Sequence, residues 1–148
     1  MAYFRALSTP QSEALIASLV ARSMPGLLSG RSMGDPVYKI CSSVMLQEAR
    51  GRGRFEGSAD DARDGFIHLS AGHQVSGTLA KYFAGQRDLV LLAVDPNRLG
   101  ESLRWETSRG GELFPHLYGP LHLDHVISVE PLVLQEDGTH RLPEGVAP

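Results

Sequence analysis

The sequence predicts an α+β fold, with two or three helices against a mostly antiparallel sheet. Three observations predict it. Short apolar runs of strand length recur along the chain: "VYKICSS", "FIHLS", "DLVLLAVD", "LRWET", "LFPHLYG" and "HVISVEPLVL". Two of the stretches between them, "VMLQEAR" and "AGHQVSGTLAKYFAG", read as helix. Most of the remaining connections are short and carry glycine or proline, which suits turns between neighbouring strands.

Residues 1–36 differ from the rest of the chain and are expected to form an N-terminal extension, flexible apart from one short helix. In "TPQSEALIASLVARSM", Thr9 or Ser12 can cap a helix whose Leu15, Ile16, Leu19 and Val20 fall at helical spacing. Pro25 and Gly26 end it. The segment is rich in Ser and Arg, as a targeting peptide would be. An accessory extension, or a start upstream of Met33, fits as well, and is the reading favoured here.

The regular part runs over residues 37–134. "VYKICSS" is a strand, and "VMLQEAR" a helix stopped by Gly51 and Gly53. "GRGRFEGSADDARDG" reads as a polar loop with turns at Gly57 and Gly65. "FIHLS" is a short strand. In the next helix Val75, Leu79 and Phe83 recur four apart, and Gly85 is placed to end it. "DLVLLAVD" is apolar throughout, as in a central strand covered on both faces. "PNRL" turns the chain into "LRWET", where Trp105 is expected in the core. "SRGGE" is too short to count as a phosphate loop. Residues 135–148 are polar and expected to be a mobile tail.

The composition narrows the function. The chain has 148 residues, 42% hydrophobic and 21% charged, with a net charge of −3. That suits one domain with a core. It lacks the basic excess of proteins that hold nucleic acid by charge, so RNA is a partner that charge does not indicate. No apolar run reaches the roughly 20 residues of a membrane span. The single cysteine, Cys41, fits a reducing, cytoplasmic location and a buried thiol. Six histidines are present, but there is no HExxH and no Cys pair, and His122 and His125 lie three apart in strand or turn. No metal is expected. Serine chemistry is not indicated either, for want of a GxSxG elbow.

Alternation along strands selects the candidate site. Phe66, His68 and Ser70 share one face, as do Phe114, His116 and Tyr118, and as do Arg104 and Glu106. If these strands are neighbours, His68, Ser70, Glu106, His116 and Tyr118 line one concave site, suited to a nucleotide or a sugar. The alternative is that each histidine is a packed strand residue whose nitrogens are satisfied locally. Two strands with the same aromatic-x-His-x-polar layout favour the site.

"DGFIHLS", "LVLLAVD", "LRWE" and "FPHLYGPL", in that order, resemble the bacterial and plant family grouped as domain of unknown function 952. Members commonly open with Ile-Tyr-His-Ile, where this chain has Lys39 in place of the histidine. That family is itself similar to the ADP-ribosyltransferase fold and to RNA 2′-phosphotransferases. The latter carry His-Val-His-Leu-Ser where this chain has Phe66-Ile67-His68-Leu69-Ser70, so half of the histidine pair survives; their hydrophobic strand ending in acid maps to Asp95. The resemblance implies a split antiparallel sheet with a cleft for NAD or ADP-ribose. It implies Glu106 and His116 as catalytic groups. Glu106 would face the positive charge of an oxocarbenium-like ribose, and His116 would anchor or carry a proton. Lys39, His68, Ser70, Phe114 and Tyr118 would contact the nucleotide, and Arg52, Arg54 and Arg63 could meet a phosphate. The alternative is a non-catalytic domain that kept the fold to bind a nucleotide or small metabolite.

Overall fold

The computed structural model describes residues 34–146, so the expectations for the N-terminal helix and most of the extension lie outside the described residues. Among these residues, ten strands and four α-helices follow one another from Val37. They are β1 (Val37–Ser42), α1 (Ser43–Arg52), β2 (Arg54–Phe55), α2 (Ala59–Asp64), β3 (Ile67–His68), β4 (Ser70–Ala71) and α3 (Val75–Tyr82). Then come β5 (Leu89–Val94), α4 (Pro96–Leu99), β6 (Leu103–Thr107), β7 (Leu113–Leu117), β8 (Leu121–His122), β9 (Val126–Leu134) and β10 (His140–Arg141).

The α+β, antiparallel expectation holds. The main sheet has the order β10-β9-β5-β1-β4, and a second sheet the order β3-β7-β6. A two-stranded ribbon joins β2 to β8. Every pairing is antiparallel. The stretch read as one strand, "FIHLS", breaks at Leu69. Before the break it pairs with β7, His68 opposite His116. After it, Ser70 lies opposite Tyr38 of β1. Leu69 N–H still donates to Pro115 O at 3.0 Å. One short segment thus belongs to both sheets, and the cleft opens where they part.

β5 is buried at every residue, which accounts for its unbroken apolar run. Its Val90, Leu92 and Val94 join Val37 and Cys41 in a core shared with Leu46 and Ala49 of α1, and with Phe55, Ile67 and Leu117. Its Leu89, Leu91 and Ala93 face the other way, with Tyr38 and Ile40, against Val75 and Leu79 of α3. Burial pushes the Cys41 thiol up to about 12, so it is inert at neutral pH.

Local chemistry sets the helix ends. Ser42 Oγ accepts from Met45 N–H at 3.1 Å to start α1, and Gly53, at φ 80°, ends it in the left-handed conformation. The polar stretch read as a loop holds α2, and that reading is corrected. Ser58 and Asp61 form a reciprocal capping box: Asp61 N–H donates to Ser58 Oγ at 3.2 Å, and Ser58 N–H donates to Asp61 Oδ2 at 2.8 Å.

Two further readings are corrected. Trp105 is 47% exposed rather than in the core. It sits on the edge strand β6, where Leu103, two residues earlier on the same face, reaches the apolar cluster and Trp105 does not. The polar segment after Gln135 is not wholly a free tail, because β10 pairs with β9 and Leu142 and Val146 pack against the α3 side of the core.

Leu92 is wholly buried at the centre of the main sheet. Leu92→Ala should therefore destabilise the fold by about 2–5 kcal/mol, read as a lowered urea midpoint with an unchanged slope. A loss below about 1 kcal/mol would mean that this core is not close-packed.

Candidate functional site

The break at Leu69 leaves a cleft of about 290 Å³ between the two sheets, α2, α3 and the β6–β7 turn. Lys39, His68, Ser70, Phe114 and His116 line it, together with Tyr38, Asp61, Asp64, Thr78, Tyr82 and Arg109. Of the residues singled out from sequence, Glu106 and Tyr118 are not among its walls. They lie behind His116.

The site is built outward from one carboxylate. Asp61 is 3% exposed, and the capping box holds it at the start of α2. Its Oδ2 accepts from Lys39 Nζ at 2.9 Å and from Ser58 N–H at 2.8 Å. Its Oδ1 accepts from His68 N–H at 3.1 Å and meets His68 Nδ1 at 2.5 Å. Four donors use the full capacity of a carboxylate. Burial alone would raise its pKa. The bond from His68, the Lys39 charge and the Ser58 amide overcome that and hold Asp61 well below the ordinary carboxylate range.

Lys39 is also buried, and its ammonium is turned to Asp61 and to His68 O, the latter at 3.2 Å. Its place between Phe55, 5.6 Å from the ring centroid, and the acid makes it a strut. Two of its three N–H groups are thereby used before any ligand arrives.

His68 receives a carboxylate at each nitrogen. Asp61 takes Nδ1, and Asp64 Oδ2, at the exposed end of α2, lies 2.9 Å from Nε2. The bond to Asp61 outweighs partial burial and raises the His68 pKa above its ordinary value. His116 has one such partner. Its Nδ1 is 2.7 Å from Glu106 Oε1, which also accepts from Tyr118 O–H at 2.8 Å. The bonds from His116 and Tyr118 lower the Glu106 pKa, and the bond to Glu106 raises that of Tyr118. With Nδ1 donating to the carboxylate, neutral His116 carries its lone pair on Nε2.

Phe66 joins the two histidines. Its ring stacks on His116 at 3.9 Å and 22°, and lies 4.7 Å from His68 and 5.3 Å from Tyr118. The imidazole centroids are 5.9 Å apart. Phe66 therefore fills, as a spacer, the place where the resemblance put a histidine.

Other candidates do not converge. Arg54 pairs with Glu56 at 2.8 Å, and Arg63, at the rim, pairs with Asp60 and Asp64, both at 3.1 Å. Arg52 is exposed and does not line the cleft. Asp95 caps α4 by accepting from Asn97 N–H at 3.0 Å. Among the described residues no three His, Cys, Asp or Glu side chains are grouped to hold a metal ion. Among them, too, no helix is long and apolar enough to cross a membrane.

Sequence reading missed Asp61, Asp64 and Arg109. The signal for Asp61 was present: Ser58-x-x-Asp61 is a capping-box spacing with an acid in place of the usual glutamate. Arg109 had no such signal.

The fold and the site define an α+β protein with a split antiparallel sheet and a cleft walled by two carboxylate-bound histidines. Residues 40–129 match the family described as Protein of unknown function (DUF952), and the chain belongs to that family. It is similar to the crystal structure of protein CC0527 from Caulobacter crescentus, with 54% identity over 72% of this chain and 94% of that one, and a TM-score of 0.71. The solution NMR structure of CC0527 gives 54% identity over 72% and 92%, with a TM-score of 0.66. No curated protein matches the chain.

The His68 and Asp61 shifts fix a pH dependence. Asp61 is depressed in the folded state, so its contribution is present above the unfolded value of 3.8 and is lost as pH falls through the folded one. His68 is raised, so its contribution is full below 6.5 and is lost as pH rises through its folded value. His68→Gln should therefore lower the urea midpoint more at about pH 5.5 than at about pH 8.5. A deficit that grows with pH would contradict imidazolium donation to Asp61.

Proposed function

We propose that the cleft binds a nucleotide of the NAD or ADP-ribose kind. The observation that carries this reading is the convergence of His68 and His116, each oriented by a carboxylate on Nδ1, on one cleft with hydroxyl and aromatic walls. His68 Nε2, held by the rim carboxylate of Asp64, would reach a ribose hydroxyl or a phosphate oxygen by displacing that carboxylate. Ser70 offers a second hydroxyl, and Phe114 and Tyr82 offer ring faces. About 290 Å³ is the low end for ligand pockets, so the cleft would enclose part of such a nucleotide and leave the rest at its mouth. The ligand class comes from the resemblance of the sequence motifs to ADP-ribosyltransferases.

Binding without turnover is the better supported form. Nicotinamide release from NAD develops positive charge on the ribose, and a carboxylate facing that charge would lower the barrier. Glu106 is the candidate from sequence, but it does not line the cleft, and its Oε1 already serves His116 and Tyr118. The transferase reading keeps one supporting observation: His116, oriented by Glu106, has the arrangement of a general base. The 2′-phosphotransferase variant has less support, because Arg54 and Arg63 are paired with acids and Arg52 lies off the cleft.

Isothermal titration of the chain with NAD and with ADP-ribose tests the reading. Saturable binding is expected, weakened about ten- to a hundredfold in His68→Ala, the worth of a hydrogen bond to a charged group. Glu106→Gln should spare binding and reduce any release of nicotinamide. A folded chain that binds neither nucleotide would overturn the proposal.

A further inference from the structure

The cleft contains one cation that neither histidine pair accounts for. Arg109 opens the tight turn Arg109–Gly111 between β6 and β7, and the left-handed Gly110 and Gly111, at φ 68° and 81°, fold it back. Its guanidinium lies 4.8 Å over the Phe114 ring and 5.9 Å from that of Tyr82. Nη1 reaches Thr78 Oγ1 at 3.4 Å, and that hydroxyl is 3.2 Å from the buried Ser70 Oγ. Lys39 and Arg63, which also line the cleft, are ion-paired. Among the described residues Arg109 has no ion pair, and the nearby Glu112 instead accepts from Gln74 Nε2 at 2.8 Å.

A second feature points the same way. Gly77 lies inside α3 without a left-handed backbone, so conformation does not require glycine there. A glycine in a helix costs about 1 kcal/mol against alanine. Its use here is space: a Cβ at position 77 would lie 3.3 Å from Arg109 Nη2. The helix is notched where the guanidinium sits.

We propose that Arg109, with the Thr78 and Ser70 hydroxyls, forms an anion site in the cleft, and that it takes the diphosphate of the bound nucleotide. The ligand class rests on the reading of the cleft as a nucleotide site; the anion site rests on Arg109 itself. The Phe114 and Tyr82 rings lie against the guanidinium, Nη1 reaches Thr78, and the N–H groups not so used would meet phosphate oxygens. His68 then addresses the ribose side, and Arg109 the diphosphate.

The test is calorimetric titration of the chain with ADP-ribose and, separately, with inorganic pyrophosphate. Arg109→Gln should weaken both by about tenfold or more, with the melting temperature little changed, and Arg109→Lys should fall between. Gly77→Ala should also weaken both, by less than Arg109→Gln, because the added methyl presses the guanidinium aside by a few tenths of an ångström, while the helix itself is not destabilised. A structural clamp alone would lower the melting temperature of Arg109→Gln and leave affinity intact, which would overturn the proposal. ADP-ribose binding that His68→Ala weakens and Arg109→Gln does not would overturn it too, while sparing the nucleotide reading. Pyrophosphate binding lost in Arg109→Gln, in a chain that does not bind ADP-ribose, would support the anion site and overturn the nucleotide reading. No binding of either probe overturns both.

Discussion

The buried ion pair between Lys39 and Asp61 is the constraint on which the rest of the cleft depends. Burying two charges costs several kcal/mol per ion unless attraction and hydrogen bonds offset it. Here the offset is nearly complete, since Asp61 meets four donors and Lys39 two acceptors. The donors come from three places: β1, the cap of α2, and β3. Asp61 thereby ties α2 to the line where the sheets part. Without it, the strand bearing His68 would lose the partner of its amide and the Nδ1 partner of its imidazole.

The two histidines are oriented alike but not equivalent. His68 holds carboxylates at both nitrogens, one buried and one at the rim, so it acts as a fixed cation whose outer partner, Asp64, is the accessible one. His116 is buried, stacked on Phe66 and bound at Nδ1 only by Glu106, so it presents an acceptor when neutral. One wall therefore presents the rim carboxylate of Asp64 and the other a lone pair. Arg109 stands at a third point of the cleft.

Much of this was legible in the sequence. Strand alternation put Phe66, His68 and Ser70 on one face and Phe114, His116 and Tyr118 on another, and the His68–His116 register brings those faces together. The continuous apolar run of β5 announced a strand covered on both sides. Other features depend on tertiary placement. α2 is six residues long and has only Ala59 and Ala62 as apolar residues, too few for an apolar period, and only its cap marks it. Asp61 is buried because Lys39 meets it across 22 residues of sequence, a pairing that no local pattern records. Trp105 looked like core because of its type, yet edge-strand position decided its exposure. Arg109 gains its place from Gly77, more than thirty positions away.

The most direct measurement of this account is a double-mutant cycle on Lys39 and Asp61, using Lys39→Met, Asp61→Asn and both together, read as unfolding free energies in urea. If the pair anchors the cleft, Asp61→Asn leaves the buried Lys39 ammonium without its counter-charge and Lys39→Met leaves Asp61 only Ser58 and His68 as donors; each costs about 3–5 kcal/mol, and the double variant recovers a large part of that loss. Losses that simply add, with no coupling between the two positions, would show that Lys39 does not sustain the Asp61 carboxylate and would contradict the account.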